Sequence, residues 1–304
     1  MKNKIINLGT ANVDEIIRID AFPRVGETRF SDRYCALLGG KGANQAVAAS
    51  RAGAAAVFLG SIGADIYGSY VRERLEENGI DTSFLVTHRE KPTGIAHVWA
   101  DDSGRNSIVC YPGANLGSEE EQLRHLREIA KPGDVILLTL EYGKDFVREI
   151  AGEAKKKSCR LILDPSGNIE IGKDVAIAQN TYLIKPNEVE AEQLTGMAVR
   201  TKEEGFAAAE RLRHMGYAHP VVSMGEKGAA AYVEGEMRFF EPLPVRSVDS
   251  TGAGDAFLGY LAAALAENRD LDGAIRLAVR AAALSTEKIG AAEAVPRRGE
   301  AQGL

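Results

Sequence analysis

The sequence has few of the features that would define a protein class at once. Its 304 residues include only three cysteines, Cys35, Cys110 and Cys159, and this odd, widely spaced set gives neither a disulfide framework nor a paired-thiolate metal site. No apolar run approaches the ~20 residues that a membrane-spanning helix requires. The first residues also contain too short an apolar run for a secretory signal. We therefore expect a cytoplasmic protein without a membrane partner.

Positive charge is scarce, whereas glycine is abundant. Lys and Arg total 37 against 43 Asp and Glu, which gives a net charge of −6. Such a chain has no basic field to neutralise a nucleic-acid backbone, so we expect no nucleic-acid partner. The 32 glycines exceed the usual share of about 7%. Glycines concentrated in loops would let the backbone approach a ligand closely.

Short apolar strands alternate with amphipathic helices along the whole chain. The predicted strands cover residues 4–9, 57–59, 135–140, 161–163, 182–184 and 221–223. Continuous apolar strands separated by helices are typical of a mostly parallel sheet that is covered on both faces. We therefore predict one α/β domain over residues 1–304. The last residues, from Pro296, are expected to form a loose tail.

Two segments interrupt this alternation. Residues 15–34 have an alternating, aromatic pattern, and residues 94–111 read as a hairpin that turns at Asp101-Asp102-Ser103-Gly104. Together they predict a small inserted β-sheet. At the edge of an active site, such a sheet would act as a lid.

The first glycine cluster lies at residues 39–45 and reads Gly-Gly-Lys-Gly-Ala-Asn-Gln. It leads directly into a predicted helix, so backbone N–H groups at the positive helix end lie beside one cation and one carboxamide. That arrangement can hold a polar ligand, although a tight loop without a ligand explains the glycines equally well. It is not a Walker A loop, because Lys41 is followed by glycine instead of Ser or Thr.

The second cluster lies at residues 248–255 and reads Val-Asp-Ser-Thr-Gly-Ala-Gly-Asp, just before an apolar helix. Successive small residues at a helix N-terminus form an anion-binding nest. Asp255 lies where it could deprotonate a nucleophile beside the bound anion. The pattern indicates phosphoryl transfer. The alternative interpretation is that Asp255 only caps the helix.

Taken together, the two clusters resemble the two signatures of the ribokinase-like carbohydrate kinases, also called the PfkB family. The resemblance runs from Asn7 to about Pro296. It implies a ribokinase-like three-layer α/β/α sandwich with a mostly parallel central sheet and a small β-sheet lid. It also implies ATP-dependent phosphorylation of a small sugar with magnesium as cofactor, and a homodimer formed through the lid strands.

The resemblance also implies roles for individual residues. Asp255 would be the catalytic base, and the N–H groups of Gly252, Ala253 and Gly254 would stabilise the transferring phosphoryl group. The implied sugar ligands are Asn12, Asp14, Gly40, Lys41, Asn44, Glu141 and Asp255. The implied nucleotide ligands are Asn187, Glu190, Ser223, Gly225, Gly228 and Gly254, with Glu190 holding magnesium through water. Asn187 and Glu190 have a helix-capping alternative.

Further expectations concern ions and substrates. The resemblance implies a monovalent-cation site, for K⁺, whose matching positions are Asp249, Thr251, Ser285, Lys288 and Gly290. Ala294 replaces a usual serine there, which removes one hydroxyl ligand. The favoured reaction converts D-ribose to D-ribose 5-phosphate at the primary hydroxyl. Fructose, a 2-keto-3-deoxy sugar acid or a nucleoside are alternative substrates. A non-catalytic sugar-binding regulator would have a damaged base or anion hole, and both motifs are intact.

Overall fold

The computed structural model describes residues 3–101, 103 and 105–303. Strands in these ranges are β1 (Ile5–Leu8), β2 (Asn12–Ile19), β3 (Tyr34–Gly39), β4 (Ala56–Leu59), β5 (Ser61–Gly63), β6 (Val86–His88), β7 (Gly94–Asp101), β8 (Asn106–Tyr111), β9 (Val135–Leu140), β10 (Arg160–Gly167), β11 (Leu183–Ile184), β12 (His219–Ser223), β13 (Ala229–Val233) and β14 (Glu236–Phe240). The α-helices are α1 (Lys41–Arg51), α2 (Ile66–Glu77), α3 (Glu119–Ile129), α4 (Lys144–Lys156), α5 (Val175–Ala178), α6 (Glu188–Thr195), α7 (Lys202–His214), α8 (Ala253–Ala266), α9 (Leu271–Ser285) and α10 (Arg298–Gln302).

An eight-stranded sheet in the order β14-β13-β12-β11-β10-β9-β1-β4 forms the centre. The six strands from β12 to β4 are parallel, and the hairpin of β13 and β14 closes one edge in the antiparallel direction. Successive side chains of a strand face opposite sides. Thus Ile5 packs in a core with α1, α8 and α9, and Ile6 in a second core with α3, α4 and α7. These two cores confirm the predicted three-layer α/β/α sandwich.

A separate four-stranded sheet, which we call the lid, has the order β3-β2-β7-β8. Its strand β2 runs parallel to β7, whereas the other neighbours are antiparallel. The hairpin predicted at residues 94–111 is present as β7 and β8; Asp102 and Gly104 of its turn lie outside the described residues. The segment predicted at residues 15–34 differs, because β2 begins at Asn12 and most of residues 20–33 connects β2 to β3. Pro23 and Gly26 interrupt any strand there.

The expectation of a loose C-terminal tail is wrong. Helix α10 packs against α9, and Ala301 is fully buried. Arg298 forms an ion pair with Glu267 at 2.6 Å, and the Tyr260 hydroxyl donates to the Pro296 carbonyl at 2.7 Å. A five-residue helix is too short to give a periodic pattern, so its packing could not be read from the sequence. In the part of the chain that is described, no helix is both long and apolar enough to cross a membrane.

Candidate active site

The candidate site lies where the parallel strands of the central sheet end. The carboxyl ends of parallel strands meet at one edge, which is the usual place for a ligand crevice in α/β proteins. Polar side chains follow several of these strands or lie in their last residues, and the lid strand β2 leaves from the end of β1. The residues concerned are Asn12, Glu141, Asp164, Lys185 and Ser223.

Close packing of α1 against α8 places the candidate base. A Cβ atom on Gly259 of α8 would overlap the Ala48 side chain and lie 2.7 Å from the Gln45 carbonyl oxygen, so glycine is needed for this approach. The approach lets Asn44 Nδ2 donate to Asp255 Oδ2 at 3.2 Å and Gln45 Nε2 donate to Asp255 Oδ1 at 3.1 Å. Helix α8 has Gly252 as its N-cap and no side-chain cap. The capping interpretation of Asp255 is therefore wrong.

The environment of Asp255 suits a general base. Its side chain is only 6% exposed, and burial raises its pKa to about 6. The Lys41 ammonium lowers this pKa, the Asp164 charge raises it, and the amides of Gln45 and Asn44 lower it. A carboxylate with a pKa near the working pH combines the deprotonated state with enough basicity to accept a proton.

Asp164 is a second buried carboxylate that the sequence analysis missed. It lies near the end of β10, where its Oδ2 accepts from the same Gln45 Nε2 at 2.7 Å and its Oδ1 accepts from the Ser166 N–H at 3.1 Å. Gln45 thus connects Asp164 to Asp255. A carboxylate directly after the apolar run 161–163 was a usable signal, because the same strand-end logic points to Glu141.

The proposed sugar side contains Glu141 and Lys41. Glu141 Oε2 accepts from the hydroxyls of Thr10 and Thr139 at 2.9 and 3.0 Å. Burial raises the pKa of Glu141, and the two hydroxyl donors oppose that shift. Desolvation disfavours the charged form of Lys41, but the carboxylates of Asp255, Asp164 and Glu141 outweigh it and raise the Lys41 pKa.

Glycines 39 and 40 serve two different contacts at the entrance to α1. Gly40 has a φ of 87°, and a Cβ atom there would lie 2.6 Å from the Thr10 carbonyl oxygen. A Cβ atom on Gly39 would overlap the carboxyl group of Asp14. The glycines therefore make room for sugar-side residues, and the simple tight-loop interpretation explains only part of the cluster.

The lid brings Asn12 and Asp14 to this side. They alternate along β2 and so project from the same face of the lid. The Asp14 carboxylate has no hydrogen bond with the described residues, and burial, with a contribution from the Glu293 charge, raises its pKa to about 6. Asn12 Oδ1 accepts from Asn115 Nδ2 at 2.8 Å.

Asn187 and Glu190 form a capping box at the start of α6. The Asn187 N–H donates to Glu190 Oε2, and the Glu190 N–H donates to Asn187 Oδ1, both at 2.9 Å. The capping alternative is therefore correct for this pair, and a nucleotide role would be additional. Burial raises the pKa of Glu190, the Asp164 charge adds to the rise, and Lys185 opposes it. These groups lie within electrostatic reach of one another.

The predicted nucleotide loop follows β12 and lies beside this capping box. The N–H and the hydroxyl of Ser223 both donate to the Pro186 carbonyl, at 2.9 and 3.3 Å. Gly225 and Gly228 have φ values of 53° and 110°, which favour glycine. A Cβ atom on Gly228 would overlap the Phe240 carbonyl oxygen. The two loops are thus held side by side at the ends of β11 and β12.

Lys185 is the second residue that the sequence analysis missed. It is 5% exposed, yet its ammonium has no hydrogen bond or ion pair with the described residues. Its Nζ lies 5.8 Å from the ring centroid of Phe257, and a Cβ atom on Gly254 would be 3.1 Å from it. The amine therefore lies against the loop at the start of α8. A lysine directly after the apolar run 182–184 was the available signal.

The loop of residues 252–254 at the start of α8, which we call the anion-hole loop, has two backbone N–H groups without an acceptor among the described residues. Gly252 adopts a φ of 73°, which starts α8 through a left-handed residue. The N–H groups of Gly252 and Gly254 have no acceptor among the described residues, whereas the Ala253 N–H donates to the Ser250 carbonyl at 3.2 Å. Free N–H groups at a helix N-terminus, with a lysine amine beside them, suit a phosphate group.

Only three of the five predicted cation-site residues, Asp249, Thr251 and Gly290, are joined by hydrogen bonds. Asp249 accepts from the Thr251 N–H and hydroxyl at 3.0 and 2.6 Å and from the Gly290 N–H at 3.0 Å. The Ser285 hydroxyl instead donates to the Ala282 carbonyl at 2.8 Å, and Lys288 Nζ lies 3.4 Å from Glu300. Among the residues with described positions, no three acidic, His or Cys side chains converge as a direct metal site.

Comparisons with known proteins agree with this geometry. The chain matches the model of the pfkB family carbohydrate kinases over residues 3–298. It is 35% identical over 300 residues to a ribokinase from Haemophilus influenzae, with 99% of this chain and 97% of that protein covered. It is 32% identical over 289 residues to a deoxyribokinase from Salmonella typhi, with 95% and 94% covered. The solved structure of Arabidopsis thaliana ribokinase complexed with ribose and ATP matches with a TM-score of 0.89 at 29% identity, covering 100% of this chain and 98% of that one. The chain therefore belongs to the pfkB family of carbohydrate kinases.

Proposed function

We propose that the protein is a cytoplasmic, ATP-dependent kinase that phosphorylates the primary hydroxyl of D-ribose. The observation that carries the proposal is the juxtaposition of Asp255, a buried carboxylate held by two amides, with the N–H groups of Gly252 and Gly254, which have no acceptor among the described residues. A base beside an anion site is the arrangement that phosphoryl transfer to an alcohol requires. Whole-length similarity to ribokinases, one of them solved with ribose and ATP, supports ribose as the acceptor.

Each part of the site then has one task in the reaction. Asp255 accepts the proton of the sugar hydroxyl as its oxygen attacks the γ-phosphorus of ATP and the bond to the ADP oxygen breaks. The N–H groups of Gly252 and Gly254 and the Lys185 ammonium stabilise charge on the transferring group. Asn12, Asp14, Lys41 and Glu141 hold the sugar.

The carboxylates of this site suit a magnesium ion that is bound through water and not by direct protein ligands. A magnesium ion bound with ATP would neutralise phosphate charge. Asp164 supplies a buried carboxylate and Glu190 a half-buried one on the nucleotide side, and no direct three-residue metal cluster exists among the described residues. Since Mg²⁺ usually keeps several waters, we propose that Glu190 holds it through water.

A coupled assay across candidate acceptors tests the proposed function. We expect ribose to give the highest kcat/KM among ribose, 2-deoxyribose, fructose and nucleosides. The similarity to a deoxyribokinase makes 2-deoxyribose the most informative competitor. Turnover with fructose or a nucleoside alone would refute the ribose assignment. Sugar binding without turnover of any acceptor would support the non-catalytic alternative instead.

The rate should depend on pH through Asp255. An aspartate is charged above its pKa, and burial raises this one to about 6. We therefore expect kcat to be nearly constant above pH 7 and to fall about tenfold per pH unit well below pH 6. The measurement is kcat at saturating ribose and ATP from about pH 5 to 8, with the coupling enzymes in excess. A flat profile would contradict the role of Asp255 as base.

We also propose a homodimer formed through the lid. Strand β8 lies at the edge of the lid sheet, and Ile108, Val109 and Tyr111 are exposed large apolar residues on it. An apolar edge strand is a surface for pairing with another chain. We expect a dimer mass by light scattering at micromolar protein, and a monomer mass for Val109→Lys. A monomer mass for the unaltered protein would refute the dimer.

Potassium should activate the enzyme, but weakly. Asp249, Thr251 and Gly290 come together beside the anion-hole loop, whereas Ala294 supplies no hydroxyl oxygen. One oxygen ligand fewer should weaken binding of a hard cation. We expect turnover in potassium to exceed turnover in tetramethylammonium by about twofold to fivefold. Equal rates in the two salts would refute potassium activation.

A further inference from the structure

Asn115 lies beneath the lid in a position that connects two parts of the chain. It ends the short 3-10 turn Gly113–Asn115 that follows β8, and it is 2% exposed. Its Oδ1 accepts from the Ala11 N–H at 2.9 Å, and its Nδ2 donates to the Ala11 carbonyl at 3.2 Å. The same Nδ2 donates to Asn12 Oδ1 at 2.8 Å. Asn115 thus contacts both the start of β2 and a proposed sugar ligand.

Backbone groups determine which way both amides face. A backbone N–H can only donate, so the Asn115 atom opposite the Ala11 N–H must be its oxygen. A backbone carbonyl can only accept, so the atom opposite the Ala11 carbonyl must be the Asn115 nitrogen. The second hydrogen of that nitrogen faces Asn12, which must therefore present its oxygen. The Asn12 nitrogen, which has no acceptor among the described residues, is left for the pocket.

Gly94 leaves the space that the hydrogen bond between Asn115 and Asn12 requires. It is the register partner of Asn12 in the pairing of β2 with β7. A Cβ atom on Gly94 would overlap both Asn115 Nδ2 and Asn12 Oδ1. Any larger residue at position 94 would therefore push the two amides apart. A residue in each of three segments thus maintains one hydrogen bond.

The neighbouring ligand has the opposite polarity. The Asp14 carboxylate lies on the same face of β2 as Asn12 and has no hydrogen bond with the described residues. A carboxylate accepts and an amide nitrogen donates. A pair of neighbouring sugar hydroxyls satisfies both, because one oxygen can accept from Asn12 while the other hydroxyl donates to Asp14.

We propose that Asn115 is a positioning residue that makes Asn12 a donor and so sets the donor–acceptor polarity of the sugar pocket. The inference rests on the proposed function, because it concerns how the same pocket selects its substrate. It predicts a neutral vicinal diol as the recognised group, with one hydroxyl required as a donor and its neighbour required only as an acceptor.

A double-mutant cycle between Asn12 and Asn115 tests the proposal. We expect Asn115→Ala to raise the KM for ribose roughly tenfold, because the hydrogen bond that Asn12 donates to the sugar is no longer oriented. The KM for ATP should stay within about twofold of its original value. Because Asn115 acts through Asn12, it should have no further effect on the ribose KM when Asn12→Ala is already present. Independent, additive effects on the ribose KM would overturn the proposal.

A matched control separates positioning from general loss of stability. Gln122 is another buried amide, 1% exposed, whose Nε2 donates to Ser61 Oγ at 3.1 Å and which has no hydrogen bond with a proposed sugar ligand among the described residues. We expect Gln122→Ala and Asn115→Ala both to lower the Tm, but only Asn115→Ala to raise the ribose KM. A ribose KM raised equally by the control would overturn the specific role of Asn115.

Substrate analogues test the same idea on the unaltered protein, should Asn115→Ala fail to fold. Fluorine can accept a weak hydrogen bond but cannot donate one. At the hydroxyl that meets Asn12, the deoxyfluoro sugar should bind at least about threefold more tightly than the deoxy sugar. At the hydroxyl that meets Asp14, the two analogues should bind equally weakly. If calorimetric titrations find no hydroxyl position at which the deoxyfluoro sugar binds more tightly than the deoxy sugar, while ribose is still phosphorylated, the proposal is overturned. Absence of turnover with every sugar would refute the proposed function as well.

Discussion

Asp255→Asn is expected to lower kcat by roughly 10²–10⁴-fold while ATP still binds with nearly unchanged affinity. The substitution keeps the shape of the side chain but removes the group that accepts the proton of the attacking hydroxyl. It also places an amide among the donors of Asn44 and Gln45, so one of those hydrogen bonds is lost. Steady-state kcat at saturating substrates and calorimetric titration with ATP provide the two measurements.

Asp272→Asn is the matched control for this prediction. Asp272 also lies in the first turn of a helix, α9, but its partners are Arg238 and Arg276, away from the candidate site. We expect this variant to retain normal kcat. Near-normal turnover in Asp255→Asn would refute the assignment of the base. A similar loss in both variants would attribute the effect to the helix and not to proton transfer.

Lys185→Met is expected to lower kcat by about 10²–10³-fold and, unusually, to raise the Tm of the ligand-free protein. The two changes have the same physical cause. The residue is only 5% exposed and its ammonium has no ion pair among the described residues, which costs free energy until an anion binds. A methionine of similar length removes that cost and removes the charge that would stabilise the transferring phosphoryl group. Thermal unfolding without ligand and steady-state kinetics measure the two effects.

Lys185→Arg serves as the control because it retains the positive charge. A Cβ atom on Gly254 would already be 3.1 Å from Lys185 Nζ, so a bulky guanidinium has little room beside the loop. We expect partial activity, well above that of Lys185→Met. If Lys185→Met lowers the Tm and retains normal kcat, the lysine is structural and has no role toward phosphate.

Much of the fold could be predicted because its signals are local. The strand β9 coincides with the apolar run Val135–Leu140, and β4 and β12 contain the predicted strands 57–59 and 221–223. The start of β2 was missed since Asn12 and Asp14 are poor strand formers. Their extended conformation comes from pairing with β7, a long-range contact that no window of sequence contains.

The candidate site could be predicted only where motifs exist. The glycine-rich clusters identified Lys41, Asn44 and Asp255, but not that the amides of Asn44 and Gln45 hold the carboxylate of Asp255. The contact of Gln45 with Asp255 depends on how closely α1 and α8 approach, and that distance is set by Gly259 inside an otherwise apolar helix. The same lack of a motif explains why Asp164 and Lys185 were overlooked.

The parallel pairing of β2 with β7 has a consequence for how the protein is made. On the ribosome, β2 and β3 emerge early and can form only a two-stranded hairpin, which is marginally stable in water. Their partner β7 is synthesised after α1, β4 and α2, the elements that begin the central sheet and its first helices. A nascent chain can therefore begin to fold its core while Asn12 and Asp14 still lack a completed lid. The lid can therefore be completed after β1 and β4 but before β9, β10, β11 and β12, so the strand that carries Asn12 and Asp14 can pair before Asp164 and Asp255 have been made.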